Sequence, residues 1–436
     1  MPPFLSRLMT RGSLAQQSTA GLFLRVAAVG GGFVYSVLAA RLLGPGGYGQ
    51  VAMAVSVSTT AAAFVLLGSN GLAVREVAHT IATKDWGRLF AFLRQSAWFG
   101  SIVALITATG ILFLAMRVDV YFHALLFAGL LLPVHAALFW IRGVLQGMSA
   151  PILSQIPLEF VRWAIILPVL GGLSLWASSV SVADALGVYL VAMTTALLCG
   201  ALILRSKLAS VERGPRARTR WLGPSLPFLG VAAFGILGTE LNTLLLGAFS
   251  GPEELGLYQP IARLAPIMLL AREAIIIPIA PKIVELWEQD RQFELKTMIR
   301  RAALVCVALT ACIVTTIVLG SPWILAAFGD EFVTNQHLVM WIAAAQLFSV
   351  TLGPAPQLLA MTGSMAQRLA AQAASLFIHV VTAFALIPTY GSAGAALSLV
   401  AAIVSWAMLH WFAAWRTTGL NASIYPSIFQ LFRTYR

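Results

Sequence analysis

The chain has 436 residues, of which 59% are apolar and only 10% charged, and its formal net charge is +12. Soluble globular domains carry about a quarter charged residues, so with a mean hydropathy of +0.87 the composition excludes a soluble enzyme or a soluble nucleic-acid binder. The surplus of Lys and Arg belongs to membrane topology instead, because these residues gather in cytoplasmic loops.

Every backbone polar group in lipid must find its partner within the protein, which leaves helices or a closed barrel. The apolar runs are too long and too poor in alternation for barrel strands. Several approach the roughly 20 residues that a helix needs to cross the hydrocarbon. The sequence therefore predicts an all-α polytopic membrane protein with twelve transmembrane helices. They lie near 20–43, 48–68, 96–116, 121–141, 157–176, 183–204, 226–249, 256–281, 302–328, 337–360, 369–388 and 391–412. Arg7 and Arg11 precede the first, which is too long for a signal-peptide core and reads as an uncleaved span. Pro133, Pro168, Pro266 and Pro278 fall inside spans, where kinks rather than breaks are expected.

Between the sixth and seventh spans lies the longest polar interruption, Arg205 to Trp221, with six Lys/Arg against one Glu. It divides the chain into an N-terminal six-helix lobe (1–204), a basic cytoplasmic linker (205–225), a C-terminal six-helix lobe (226–412) and a cytoplasmic tail (413–436). Of the 28 Lys and Arg, 22 fall on the side shared by both termini and this linker, two (Arg41, Arg117) on the other, and four (Arg25, Arg162, Arg263, Arg272) inside spans. A wrong span count would scramble that alternation, so both termini are expected in the cytoplasm.

The two lobes show a parallel internal repeat. Arg41-Leu-Leu-Gly-Pro-Gly-Gly-Tyr-Gly49 lies between spans 1 and 2, and Leu244-Leu-Leu-Gly-Ala-Phe-Ser-Gly-Pro-Glu-Glu-Leu-Gly-Leu-Tyr258 between spans 7 and 8. Leu145-Gln-Gly-Met-Ser-Ala150 before span 5 matches Ala360-Met-Thr-Gly-Ser-Met365 before span 11. An even number of spans per half gives both the same orientation, as in several transporter folds.

Charges inside a bilayer are costly and mark a pathway by default. Arg25 lies in span 1, Glu240 and Asn242 in span 7, and Arg263 and then Arg272-Glu273 in span 8. Helical rise puts Glu240 about 20 Å from the inner end of its span, with Arg263 about 10 Å and Arg272 about 25 Å from the outer end of theirs. Residues 263 and 272 are nine apart, about 180° around a straight helix, so either Pro266 rotates the second half, or Arg272 pairs locally or faces another helix. Glu159 and Arg162 share a face at the start of span 5, where a structural pair and a functional one are equally consistent. His123, His135, His379 and His410 are read as packing residues ahead of proton carriers. Cys199, Cys306 and Cys312 show no metal or disulfide spacing. Asn421-Ala-Ser423 is read as a chance sequon, and Ile424 to Arg433 as a surface-lying amphipathic piece. No phosphate loop, zinc or serine-nucleophile motif appears. Nothing calls for an organic cofactor, and coupling to H⁺ or Na⁺ stays open.

Ala39-Ala-Arg-Leu-Leu-Gly-Pro-Gly-Gly-Tyr-Gly49, Leu-Leu-Leu-Gly at 244–247 with Gly256-Leu-Tyr258, and Ile387-Pro-Thr-Tyr-Gly-Ser-Ala-Gly-Ala-Ala396 together resemble polysaccharide-type lipid-linked oligosaccharide flippases of the multidrug/oligosaccharidyl-lipid/polysaccharide exporter superfamily. The resemblance implies a V-shaped pair of lobes in the bacterial inner membrane, with a central cavity lined by spans 1, 2, 7 and 8. The implied substrate is a polyprenyl-diphosphate-linked oligosaccharide for O-antigen or exopolysaccharide synthesis, the implied partners glycosyltransferases and a polymerase. By helix position, Arg25 and Arg263 match the family's cavity cations. Its span-7 acid falls just before the Thr-Leu-Leu-Leu-Gly run, where this chain has Asn242, with Glu240 two residues earlier. Tyr35, with hydroxyls in spans 1 and 2, suits a glycan. An ion-coupled multidrug or metabolite exporter of the same fold is the alternative, disfavoured because Arg outnumbers Glu in the spans. A membrane glycosyltransferase or polymerase is less favoured, because the outer loops are short.

Overall fold

A computed structural model describes residues 14–176, 179–209, 211–212, 214 and 219–424, with the side chains of these apart from 14–26, 273, 277 and 278. The sequon lies within this range; most of the tail piece 424–433 and part of the basic linker lie outside the described residues. Eight helices are long and apolar enough to cross a membrane, and a bent pair makes a ninth. Three of the nine are doubled. Leu14–Val65 is interrupted at Gly44, Leu222–Met268 at Gly251, and Met365–Thr418 at Gly391, each with non-helical backbone inside an otherwise continuous assignment. Twelve spans result. Span 1 and span 2 flank Gly44, and spans 3 to 6 are Trp86–Ala115, Asp119–Gly147, Pro151–Trp176 and Val182–Leu208. Spans 7 and 8 flank Gly251, span 8 continuing through Leu270–Glu288. Span 9 is Gln292–Ala326. Span 10 is the pair Asp330–Thr351 and Ala355–Met361, bent by 42°. Spans 11 and 12 flank Gly391. The chain is a multi-pass membrane protein.

The repeat is written in the backbone. Gly44 (φ 66, ψ 179) and Gly251 (φ 87, ψ 177) share a conformation open in practice to glycine alone, and each is followed by proline. Lys84 (φ 56) and Asp290 (φ 54) are left-handed residues after equivalent helices, as are Ser149 (φ 57) and Gly363 (φ 80) before spans 5 and 11. At the last pair the amides of Ala150 and Ser364 each donate to a carbonyl five residues back, on Leu145 and Leu359, closing the preceding helix in a Schellman turn. Gly44 thus pairs with Gly251, one helical turn beyond the Leu-Leu-Leu-Gly run that dominates the sequence comparison.

Two compact units divide at 236/237. In the first, Leu72, Val77, Leu89, Phe92, Val144 and Leu145 form a core at the basic ends of the spans, joined by Trp221 from the linker. Trp221 meets Phe99 edge-on at 5.5 Å between centroids. In the second, Ile283, Leu286, Leu295, Ile299, Leu358 and Leu359 form the corresponding core, joined by Leu420 and Ala422 of the tail. Asn421 takes part here: its Oδ1 accepts from Trp411 Nε1 at 3.0 Å and from the Ser423 amide at 3.0 Å. The sequon residue is a structural cap that turns the chain back against the unit.

Candidate functional site

Span 8 carries its predicted irregularity just past Pro266. The Leu269 amide donates to Pro266 O rather than to Ala265 O, ending one helical segment at Met268 before the next starts at Leu270. The carbonyl of Ala265 accepts instead from Gln346 Nε2 of span 10 at 3.4 Å, the substitution that makes a helix break tolerable in lipid. The guanidinium of Arg272 then lies over the Trp406 ring of span 12, 4.7 Å from its centroid. Arg272 thus faces another helix, beyond a break in its own. Arg263 is exposed, and Glu240 is half-buried. The side chain of Arg25 lies outside the described residues.

Asn242 is 5% exposed and sits at the centre of a network across four spans. Its Nδ2 donates to Ala395 O at 2.9 Å and approaches Tyr258 Oη at 3.4 Å. The carbonyl at Ala395 fixes the orientation of the amide, so Oδ1 faces His379 Nε2 at 3.1 Å, which must carry the proton. Ser398 Oγ is also within 3.0 Å of Oδ1. Next along span 7, Thr243 Oγ1 accepts from Gln259 Nε2 at 3.0 Å. Sequence reasoning singled out Asn242, read His379 as a packing residue and quoted Tyr258 only within a motif, but it did not connect them and passed over Ser398. They lie on other spans, so no spacing along the chain links them. A histidine, serine and asparagine at mid-span depth in three otherwise apolar helices was the available signal.

The first unit answers this with aromatics. The glycine pairing makes Tyr35 the repeat equivalent of Asn242, since both stand nine residues before their glycine. Tyr35, 5% exposed, packs against Trp163 of span 5 at 5.5 Å and Tyr189 of span 6 at 6.0 Å. His135 is buried nearby, 3.1 Å from Ser58 Oγ and 6.3 Å from the Tyr189 ring. Spans 1, 5 and 6 therefore meet at a ring cluster where spans 7, 11 and 12 meet at a polar one.

At the basic end of span 5, a π-helical turn, Pro157–Val161, carries Glu159. Its carboxylate lies 3.4 Å from Arg142 and 4.0 Å from Arg162, whose guanidinium covers the Trp163 ring at 4.1 Å. Two cations share one acid. Among the described residues, no group of three or more His, Cys, Asp or Glu gathers to hold a metal ion.

The sequence matches the family described as "Polysaccharide biosynthesis protein" over residues 18–284, spans 1 to 8. The chain belongs to that family. A capsular polysaccharide biosynthesis protein, CapF of Staphylococcus aureus, is 24% identical over 179 residues, 40% of this chain and 44% of the relative. The match thus spans less than half the length of that curated protein. Among solved structures, an inward-facing multidrug resistance MATE transporter of the MOP superfamily superposes with a TM-score of 0.68, covering 89% of this chain and 94% of its own, at 14% identity. The lipid II flippase MurJ, in an inward closed conformation, gives 0.62, covering 91% and 86%, at 12% identity. These likenesses show that this member of the polysaccharide biosynthesis family has the MATE/MOP fold.

Proposed function

We propose that the protein is a non-enzymatic flippase that carries a polyprenyl-diphosphate-linked oligosaccharide from the cytoplasmic to the outer leaflet by alternating access. The observation that carries this reading is the sign of the charge inside the spans of a polysaccharide-biosynthesis protein. Arg25, Arg162, Arg263 and Arg272 lie within the spans against Glu159, Glu240 and Glu273, while Asp184 caps the first turn of span 6, and Glu159 is already shared between two guanidiniums. A guanidinium fork suits diphosphate oxygens, and charge at such depth needs a purpose. Arg25 and Arg263 are assigned the diphosphate, with Glu240 near the same pathway. Arg272, turned onto Trp406, is assigned a positioning role, and so are Tyr35 and Asn242 in their interior clusters. The protein works in the bacterial cytoplasmic membrane with both termini inside, beside the glycosyltransferases and polymerase of its pathway. If transport is ion-coupled, the histidine and amide of the Asn242 network, which include no carboxylate, favour H⁺ over Na⁺.

The test is surface polysaccharide display in a strain lacking the chromosomal copy, complemented by Arg25→Ala or Arg263→Ala. Display should fall at least tenfold for each while membrane levels stay normal. Full display by both single variants would overturn the assignment. Single-cysteine accessibility at positions 25 and 263 reads whether both line one water-filled path.

A further inference from the structure

Spans 3 and 6 both pack on span 4 far more than on each other. The gap between them is a groove of about 820 Å³ within the first unit. Small side chains make its floor: Ala97, Gly100 and Ala104 of span 3, Ala136 and Ala137 of span 4, and Ala201 of span 6. Ser96 offers it no free donor, because Ser96 Oγ donates to Phe92 O and accepts from Trp140 Nε1. Among the described residues Arg205 is the only charged group on the lining. It stands three residues before the basic end of span 6, is exposed, and forms no ion pair among the described residues.

The dimensions select the occupant. From Phe90 to Leu105 the groove follows fifteen residues of span 3, about 22 Å at helical rise. Half of a hydrocarbon core is roughly 15 Å, so the groove runs from headgroup level at the basic end to just past the midplane. Its rim carries Trp98, Leu105, Leu198 and Leu202, all exposed by 59% or more, so it opens sideways to lipid. A flexible hydrocarbon chain suits a groove of this length that opens sideways to lipid, and Arg205, the only charged group on its lining among the described residues, sets an anion at its head.

We propose that this groove holds an anionic phospholipid of the leaflet facing the basic loops, with one acyl chain along Gly100 and Ala201 and its phosphate on Arg205. The site lies between spans 3, 4 and 6, with Leu66 at the end of span 2 on its edge, and is separate from the path assigned to the transported lipid. It anchors the end of span 6, where the basic linker starts.

The full chain, purified in neutral detergent, is tested by native mass spectrometry and thermal unfolding with phosphatidylglycerol or phosphatidylcholine added. Wild-type protein should bind phosphatidylglycerol on the order of tenfold better, and unfold at a higher temperature with it than with phosphatidylcholine. Arg205→Glu, at an exposed position that leaves the fold intact, should abolish that preference. Ala201→Leu, which fills the floor, should weaken both lipids. Equal binding of the two lipids by wild type, an Arg205→Glu variant that keeps the preference, or stabilisation by inorganic phosphate alone would overturn the proposal. So would displacement of bound phosphatidylglycerol by equimolar polyprenyl phosphate. Export by Arg205→Glu is a separate readout, so failure of the lipid site and failure of the flippase assignment are distinguishable.

Discussion

At the residue scale, the Asn242 network is held by complementarity rather than by charge. The amide supplies a donor to Ala395 O and an acceptor to His379 Nε2–H, and no water lies at hand in a lipid-embedded bundle to replace either. Asn242→Leu should therefore cost about 2 kcal/mol, the penalty for leaving a buried donor unmade. Asn242→Leu combined with His379→Leu should cost less than the single change, because both polar partners then leave together. Thermal unfolding in detergent reads both, and a double variant that is the weaker of the two would sink the account. Asn242 was legible as an intramembrane polar residue, but its role was not, because His379 and Ser398 are 137 and 156 residues away in sequence. The same distance hid the seat of Arg272 on Trp406, and the break after Met268 means that residues 263 and 272 do not stand on one straight helix.

At the scale of elements, the apolar runs were legible because each must cover a hydrocarbon thickness, and the charged loops between them fixed their number. What the runs concealed was where each hairpin turns. Leu-Leu-Leu-Gly at 244–247 looks like the partner of Leu42-Leu-Gly44, yet span 7 runs on for another turn until Gly251, the residue that precedes proline and has positive φ. Backbone demand, not residue likeness, sets the register of the repeat. Gly44→Ala and Gly251→Ala should each destabilise by about 2 kcal/mol, and equally, because an added Cβ meets no atom within 4 Å at either site. Gly68→Ala should be far worse. There φ is 77 and a Cβ would run into the amide of Leu229 and the carbonyl of Ser225, prising the start of span 7 from the end of span 2. Denaturant unfolding of the three purified variants checks the order. A mild Gly68→Ala would show that this junction is loosely held.

At the scale of the whole molecule, the basic linker is where topology and mechanism meet. Its Lys and Arg outnumber its acid six to one between residues 205 and 221, and the two ends differ in what holds them. Arg205 belongs to span 6 and lines the groove proposed for a phospholipid, while Trp221 is buried in the first unit's core against Phe92 and Phe99. Between those anchors, sequence identity has little to do beyond supplying positive charge to the membrane face that carries the basic loops. Replacing residues 213–220 with a Ser/Gly segment that keeps two Arg should leave insertion and export within about twofold of wild type, since juxtamembrane cations act additively at roughly 1 kcal/mol each and the ends stay in place. Trp221→Ala in the unaltered linker should do more damage than that whole replacement, because removing a buried aromatic costs about 3–5 kcal/mol. Export and thermal stability of the two variants, measured side by side, decide between an anchored permissive linker and a sequence-specific one: loss of export in the Ser/Gly chain at normal membrane levels would establish the second.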